Sequence, residues 1–311
     1  MKKWLKVIGI LIGVIVLFLG VVYVVNVISN KVEKGKIQTY GQLVPIEGGN
    51  INVLMKGAGE ETVVLLPGYG TGAPALDFKP LIEELSPNYK VVVVEPFGYG
   101  LSDVTDKPRT VENIVNETHE VLQKLNINRY ILMGHSIAGI YGLDYVNKYE
   151  NEVTAFVGID SSVSTQGGND EPFPTGFYKQ LKQSGFFRLL TKLSPDQLIA
   201  PNVDDATKEQ IRIIFLKNSF NASVLSEGEH FKQNFKAVEG LRFPKKLPVI
   251  FFLVKDNTDV EDWIPMHEEQ VEQLAHGKVM TFEGSHYLHH TRSKEIVENF
   301  RSFMNEVETN N

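Results

Sequence analysis

The sequence of 311 residues contains no cysteine. That absence rules out disulfides, a thiol nucleophile and thiolate metal sites. Excess positive charge is missing as well: 31 Lys and Arg against 38 Asp and Glu give a formal charge of −7. Nothing in that balance calls for nucleic acid as a partner. Internal repeats and long low-complexity tracts are also absent. Core-forming residues are plentiful, since 42% of the chain is hydrophobic and only 22% charged, an ordinary globular composition. The length suits one large domain, or one domain carrying a sizeable insertion.

The N-terminus is different in kind. After Lys2, Lys3 and Lys6, the segment from Val7 to Val25 runs for 19 residues without a charge. As a helix it would reach roughly 28 Å, close to the hydrocarbon thickness of a bilayer. A cleavable signal peptide has a shorter apolar core of about 7–15 residues and a small-x-small cleavage site. Here Asn26, Val27, Ile28 and Ser29 follow instead. The reading is an uncleaved transmembrane anchor over residues 1–30, in contact with membrane lipid, followed by a linker over 31–40. The lysines ahead of the span place the N-terminus in the cytoplasm and the main domain outside.

From residue 41 onward, apolar runs alternate with amphipathic stretches. "ETVVLLPGYG", "YKVVVVEPFGYGLSD", "RYILMGHS", "VTAFVGIDSS", "LPVIFFLV" and "KVMTFEG" read as buried strands, and "LVPIEGGNINVLMKG" as a hairpin. In "TVENIVNETHEVLQKLNI", Val111, Ile114, Val115, Thr118, Val121, Leu122 and Leu125 form one helical stripe. Strands apolar on both faces, interleaved with such helices, predict an α/β fold with a mostly parallel sheet covered on both sides. Residues 164–246 break the rhythm with a loop and aromatic-rich helical pieces, read as a helical cap inserted into a domain spanning 41–307.

Ligands of a parallel α/β sheet sit beyond the carboxyl ends of its strands. There the sequence places "GHSIAG", a serine on a strand-to-helix turn among small residues. Such a turn exposes the Ser136 hydroxyl as a nucleophile, whereas a simple helix cap is the plainer reading of a serine there. Serine needs a base. His286, in "GSHYLHH" after a strand, has the best context; His289, His290 and His135 are its competitors. The histidine needs an acid to hold its tautomer. "LVKDNTDVEDW" offers Asp256, Asp259, Glu261 and Asp262, with Asp256 nearest the strand end and first choice; Asp160, ending "FVGID", is the rival. The backbone N–H groups of Tyr69 and Ile137 are the natural donors for an oxyanion.

Together, "LLPGYG", "EPFGYGLSD", "GHSIAG" and "GSHYLHH" resemble the α/β-hydrolase superfamily over residues 41–307. The resemblance implies an eight-stranded sheet with an early antiparallel strand, a cap after the sixth strand, and a Ser-His-acid triad that needs no cofactor or metal. Pro67, Glu95 and Ala138 depart from the usual motif residues without removing a catalytic group. The dehalogenase and epoxide-hydrolase branches carry aspartate where this chain has Ser136.

The expected activity is carboxyl-ester hydrolysis on a small ester or acyl substrate. Cap aromatics Phe173, Phe177, Tyr178, Phe186 and Phe187 suggest an apolar acyl or leaving group, or else form the cap's own core. An aminopeptidase of the proline-iminopeptidase type is the alternative, with Asp170, Glu171, Glu227 or Glu229 holding the substrate ammonium. A catalytically inactive binding module on the same fold is the reading from another class. A dinucleotide-binding protein would use Glu95 on a ribose, but the glycines of "PGYGTG" have the wrong spacing and lie between Pro67 and Pro74.

Overall fold

The computed structural model describes residues 2–166, 171–194 and 199–309. Its elements run α1 (Lys2–Lys34), β1 (Gln42–Ile46), β2 (Gly49–Lys56), β3 (Thr62–Leu66), α2 (Pro74–Asp77), α3 (Lys79–Leu85), β4 (Lys90–Glu95), α4 (Val111–Lys124), β5 (Tyr130–His135), α5 (Ala138–Lys148) and β6 (Val153–Ile159). Then follow α6 (Thr175–Ser184), α7 (Phe186–Leu193), α8 (Asp205–Asn218), α9 (Ala222–Glu229), α10 (Phe231–Ala237), β7 (Val249–Val254), α11 (Trp263–Val271), β8 (Gly277–Phe282), α12 (Leu288–Thr291) and α13 (Ser293–Thr309).

The eight strands form one sheet in the order β1-β2-β4-β3-β5-β6-β7-β8. β2 pairs antiparallel with β1 and β4, and every pairing from β4 to β8 is parallel. This is an α/β-hydrolase sheet with helices around it. The all-apolar central strands follow from double-sided burial. Val64, Val92, Val94 and Leu132 face one core with the α4 and α5 stripes. Val63, Leu65, Val91, Val93, Ile131 and Met133 face the other, with α3 and α13. Thr110 caps α4, its side chain accepting from the Asn113 N–H, as expected for a threonine one residue ahead of an apolar stripe.

The chain divides into two compact units. The sheet unit comprises residues 39–173 and 199–311. The smaller unit comprises residues 1–38 and 174–198, so it joins α1 to the α6–α7 pair. The segment between β6 and β7 therefore divides: α6 and α7 belong with α1, and α8, α9 and α10 with the sheet. α1 continues past the apolar run to Lys34, through residues expected as linker. It is long and apolar enough to cross a membrane, and its most apolar window has no residue buried in the protein.

Candidate active site

Four loops meet the carboxyl ends of the parallel strands. β3 leads into Pro67-Gly68-Tyr69-Gly70, β5 into Ser136, β6 into Asp160, and β8 into the loop that carries His286. Ser136 has φ +55° and Asp160 has φ +41°. Left-handed backbone at a non-glycine residue costs on the order of 1 kcal/mol or more and persists only where neighbours impose it. At Ser136 those neighbours are β6 and the loop beyond it. Ser136 N–H donates to Ile159 O (3.3 Å), and Ser162 N–H donates to Ser136 O (2.8 Å).

Small residues make this elbow fit. A methyl on Gly134 would lie 3.1 Å from the Ala138 Cβ, and one on Gly139 would collide with the Ser162 carbonyl. The close approach therefore falls at position 139, and Ala138, itself fully buried, is accommodated. Gly68 is equally constrained, since a Cβ there would meet the Ser136 Cβ at 2.9 Å and His135 Nδ1 at 2.8 Å. The β3 glycine loop thus lies directly against the serine. Ile137 forms the start of α5, where helical N–H groups lack intrahelical partners and the helix dipole favours negative charge.

The acid beside His286 is Asp160, not Asp256. His286 Nδ1 and Asp160 Oδ2 are 2.7 Å apart. The other oxygen, Oδ1, accepts from Val254 N–H (3.0 Å) and from the Trp263 indole N–H (2.9 Å). Asp160 is 1% exposed and lies between the ends of the neighbouring strands. Asp256, by contrast, is exposed in the turn after β7, as are Asp259, Glu261 and Asp262. The strand-end position that favoured Asp256 is real, but Val254, two residues before it, already hands its N–H to Asp160. A carboxylate taking three donors is held in one orientation, which suits it to fix a histidine tautomer.

The competing histidines form a second layer. His135 Nε2 lies 3.0 Å from His286 O, and its ring centroid is 4.5 Å from that of His289. His289 and His290 each approach Asp77 through Nε2 at 2.8 Å, one on each carboxylate oxygen. The three ligand-type groups Asp77, His289 and His290 are buried within 4.8 Å of one another. Burial alone would raise the Asp77 carboxyl, but the imidazoles facing it reverse this and hold it below the usual carboxylate range. Burial also lowers the His135 and His289 imidazoles, and their mutual proximity adds to the effect on His135.

Both imidazoles therefore bind a proton less readily in the native protein than after it unfolds. Their contribution to stability is complete above about pH 6.5, the unfolded value, and is lost as pH falls below it. Each contributes a slope of up to about 1.4 kcal/mol per pH unit. A denaturant-midpoint series on the full chain in detergent should fall steeply from pH 7 to pH 5, and less steeply in His135→Gln. A flat wild-type profile over that range would contradict the lowered pair.

The glycine loop is also held from the cap side. The Tyr69 ring packs edge-on against Phe231 (4.6 Å) and Phe173 (6.0 Å), and its hydroxyl donates to Val224 O (3.1 Å). Gly70 N–H donates to the Tyr99 hydroxyl (3.1 Å), which donates to Glu227 Oε2 (2.6 Å). Tyr141 donates to Glu227 Oε1 (2.7 Å). Both Glu227 oxygens thus accept from phenols, and burial raises its carboxyl. Glu171 is exposed, and Asp170 lies outside the described residues. Glu95 likewise has a structural task, accepting from Tyr40, Asn52, Ala75 N–H and Leu101 N–H. Of the cap aromatics, Phe173 packs on Tyr69, while Phe186 packs on Phe18 of α1 and Phe177 is exposed.

Comparison with known proteins agrees with this architecture. Residues 61–196 match the α/β-hydrolase fold family. The chain is 28% identical over 320 residues to the uncharacterized protein YbdG of Bacillus subtilis, covering 98% of both chains. It is 29% identical over 118 residues to the serine hydrolase BPHL of Mus musculus, covering 37% of this chain and 40% of that one. The fold is shared with a Vigna radiata epoxide hydrolase mutant at TM-score 0.68 and 16% identity, over 85% of this chain and 98% of that one. It is also shared with the enol-lactonase of Burkholderia xenovorans at TM-score 0.63 and 15% identity, over 85% of this chain and all of that one. With its sheet order and strand-end loops, this chain has the α/β-hydrolase fold, and its residues 61–196 match that family.

Proposed function

We propose that the protein is a membrane-anchored serine hydrolase that cleaves carboxyl esters through an acyl-enzyme. The observation that carries the reading is the Asp160–His286 pair at the strand ends beside the strained Ser136 turn. Ser136 Oγ attacks the ester carbonyl carbon while His286 takes its proton. Asp160 holds His286 in the tautomer that accepts that proton and stabilises the imidazolium formed. The N–H groups of Tyr69 and Ile137 receive the oxyanion, each such donor being worth roughly 10²–10³ in rate. Collapse breaks the bond to the alkoxide, which leaves as alcohol with the His286 proton. Water, deprotonated by His286, then attacks the acyl-Ser136 ester, releasing the acid and restoring the hydroxyl. Serine at 136 favours this acyl transfer over the chemistry of the fold's epoxide-opening branch.

A fluorophosphonate probe tests the site. Full-length wild type should label; Ser136→Ala should not, and His286→Ala should label far more slowly. A folded wild type that fails to label would remove the main support and leave a binding module on the same fold. The anchor is tested separately: the intact mass of membrane-extracted protein should retain residues 1–30. A mature chain beginning after them would make α1 a signal sequence.

A further inference from the structure

The smaller unit packs inside out. Among its described residues α6 buries none, and α7 buries Arg188 alone, 4% exposed. Arg188 turns inward to α1. Its Nη1 donates to Glu33 (2.7 Å), Nη2 to Asn30 (2.6 Å) and Nε to Asn26 (3.1 Å). Asn26, Asn30 and Glu33 are spaced four and three residues apart, hence on one face of α1. Asn26 also donates to Lys182 O across the α6–α7 junction (3.4 Å). Three large apolar side chains point the other way: Phe177 is 61% exposed, Leu190 52% and Leu193 73%.

A helix in water buries its leucines and exposes its arginine. A polar lock facing a neighbouring helix, with leucines outward, is the arrangement that a lipid environment rewards. The position along α1 agrees. Phe186 packs on Phe18 at 6.2 Å, and a Cβ on Gly185, at φ +88°, would meet the Val22 carbonyl at 2.8 Å. Phe18 lies seven residues before Val25, the end of the apolar run, hence about 10 Å inside it along the helix. Whatever surrounds α1 at that depth also surrounds the α6–α7 turn.

We infer that α6–α7 is a second membrane element, a re-entrant hairpin pinned to the end of α1 by Arg188, with Phe177, Leu190 and Leu193 in contact with lipid. The buried guanidinium is tolerable because a carboxylate and two amide oxygens satisfy it. Exposed Lys179 and Lys192 extend long side chains that reach a headgroup layer.

This inference rests on α1 spanning the bilayer, and the test separates the two. The chain has no cysteine, so single substitutions carry a nitroxide spin label without background. Full-length Leu190→Cys, Phe177→Cys, Ile15→Cys and Val104→Cys are reconstituted into phosphatidylethanolamine–phosphatidylglycerol vesicles. Collision with oxygen, which partitions into lipid, is compared with collision with a water-soluble nickel chelate. The oxygen-to-nickel ratio at 190, 177 and 15 should exceed that at 104 several-fold. Labels at 190 and 177 that match 104 while 15 reads lipid would overturn the hairpin alone. If 15 also reads water, the anchor itself fails and the hairpin with it.

Discussion

Ser136→Ala is expected to lower ester hydrolysis by about 10⁴–10⁶-fold, with the protein folded and the acyl-enzyme lost. Alanine removes the attacking oxygen and leaves the turn's backbone constraints, which come from Ile159 and Ser162, intact. Residual catalysis over water, about 10³-fold, should survive because the loop and helix N–H groups still receive developing negative charge. His286→Ala should lose a comparable factor, and the double variant little more than either alone, because nucleophile and base act as one unit. Hydrolysis by Ser136→Ala at an appreciable fraction of the wild-type rate would remove serine from the mechanism. Steady-state kinetics on a p-nitrophenyl ester reads all three variants.

The second large effect separates the two acids. Asp160→Asn is expected to reduce kcat by about 10⁴-fold, while Asp256→Asn leaves it near wild type. Asparagine at 160 keeps one oxygen for Val254 N–H and the Trp263 indole, so the packing survives. It places an NH₂ group where His286 Nδ1 needs an acceptor, which favours the tautomer unable to take the Ser136 proton. Asp160→Ala would confound this by leaving two buried donors unsatisfied, each at about 1–3 kcal/mol. A large loss in Asp256→Asn with a mild effect at 160 would reverse the assignment.

The sheet was legible because burial on both faces demands strands that are apolar throughout, and "VVLL", "VVVV" and "VIFFLV" meet that demand. The strand-end placement of Ser136 and His286 was legible for a related reason. A strand that ends in small residues and one chemical group is unusual unless the group is displayed. The acid was harder, since both candidates follow strand ends. The usable signal was polarity: Asp256 opens the solvated run "KDNTD", whereas Asp160 follows "FVGI" with only small serines after it. The layer behind His286 joins Asp77 to His289 and His290 across more than 200 residues, which no local pattern encodes. The aromatics of α7 left two readings open because helical spacing says nothing about which surface a helix meets, and Phe186 packs on Phe18 of α1.

The bond from the Trp263 indole to Asp160 has a spectroscopic consequence. The chain has only two tryptophans. Trp4 is 75% exposed on α1, and Trp263 is 6% exposed with its N–H on the acid that faces His286. In a Trp4→Phe background, all indole emission therefore comes from one ring whose dipole is bonded to that carboxylate. Acylation of Ser136, or any event that reorders His286 against Asp160, changes the field at that ring. The protein thus carries an intrinsic fluorophore wired to the acid of its own candidate triad, and stopped-flow emission can follow turnover without a chromogenic substrate.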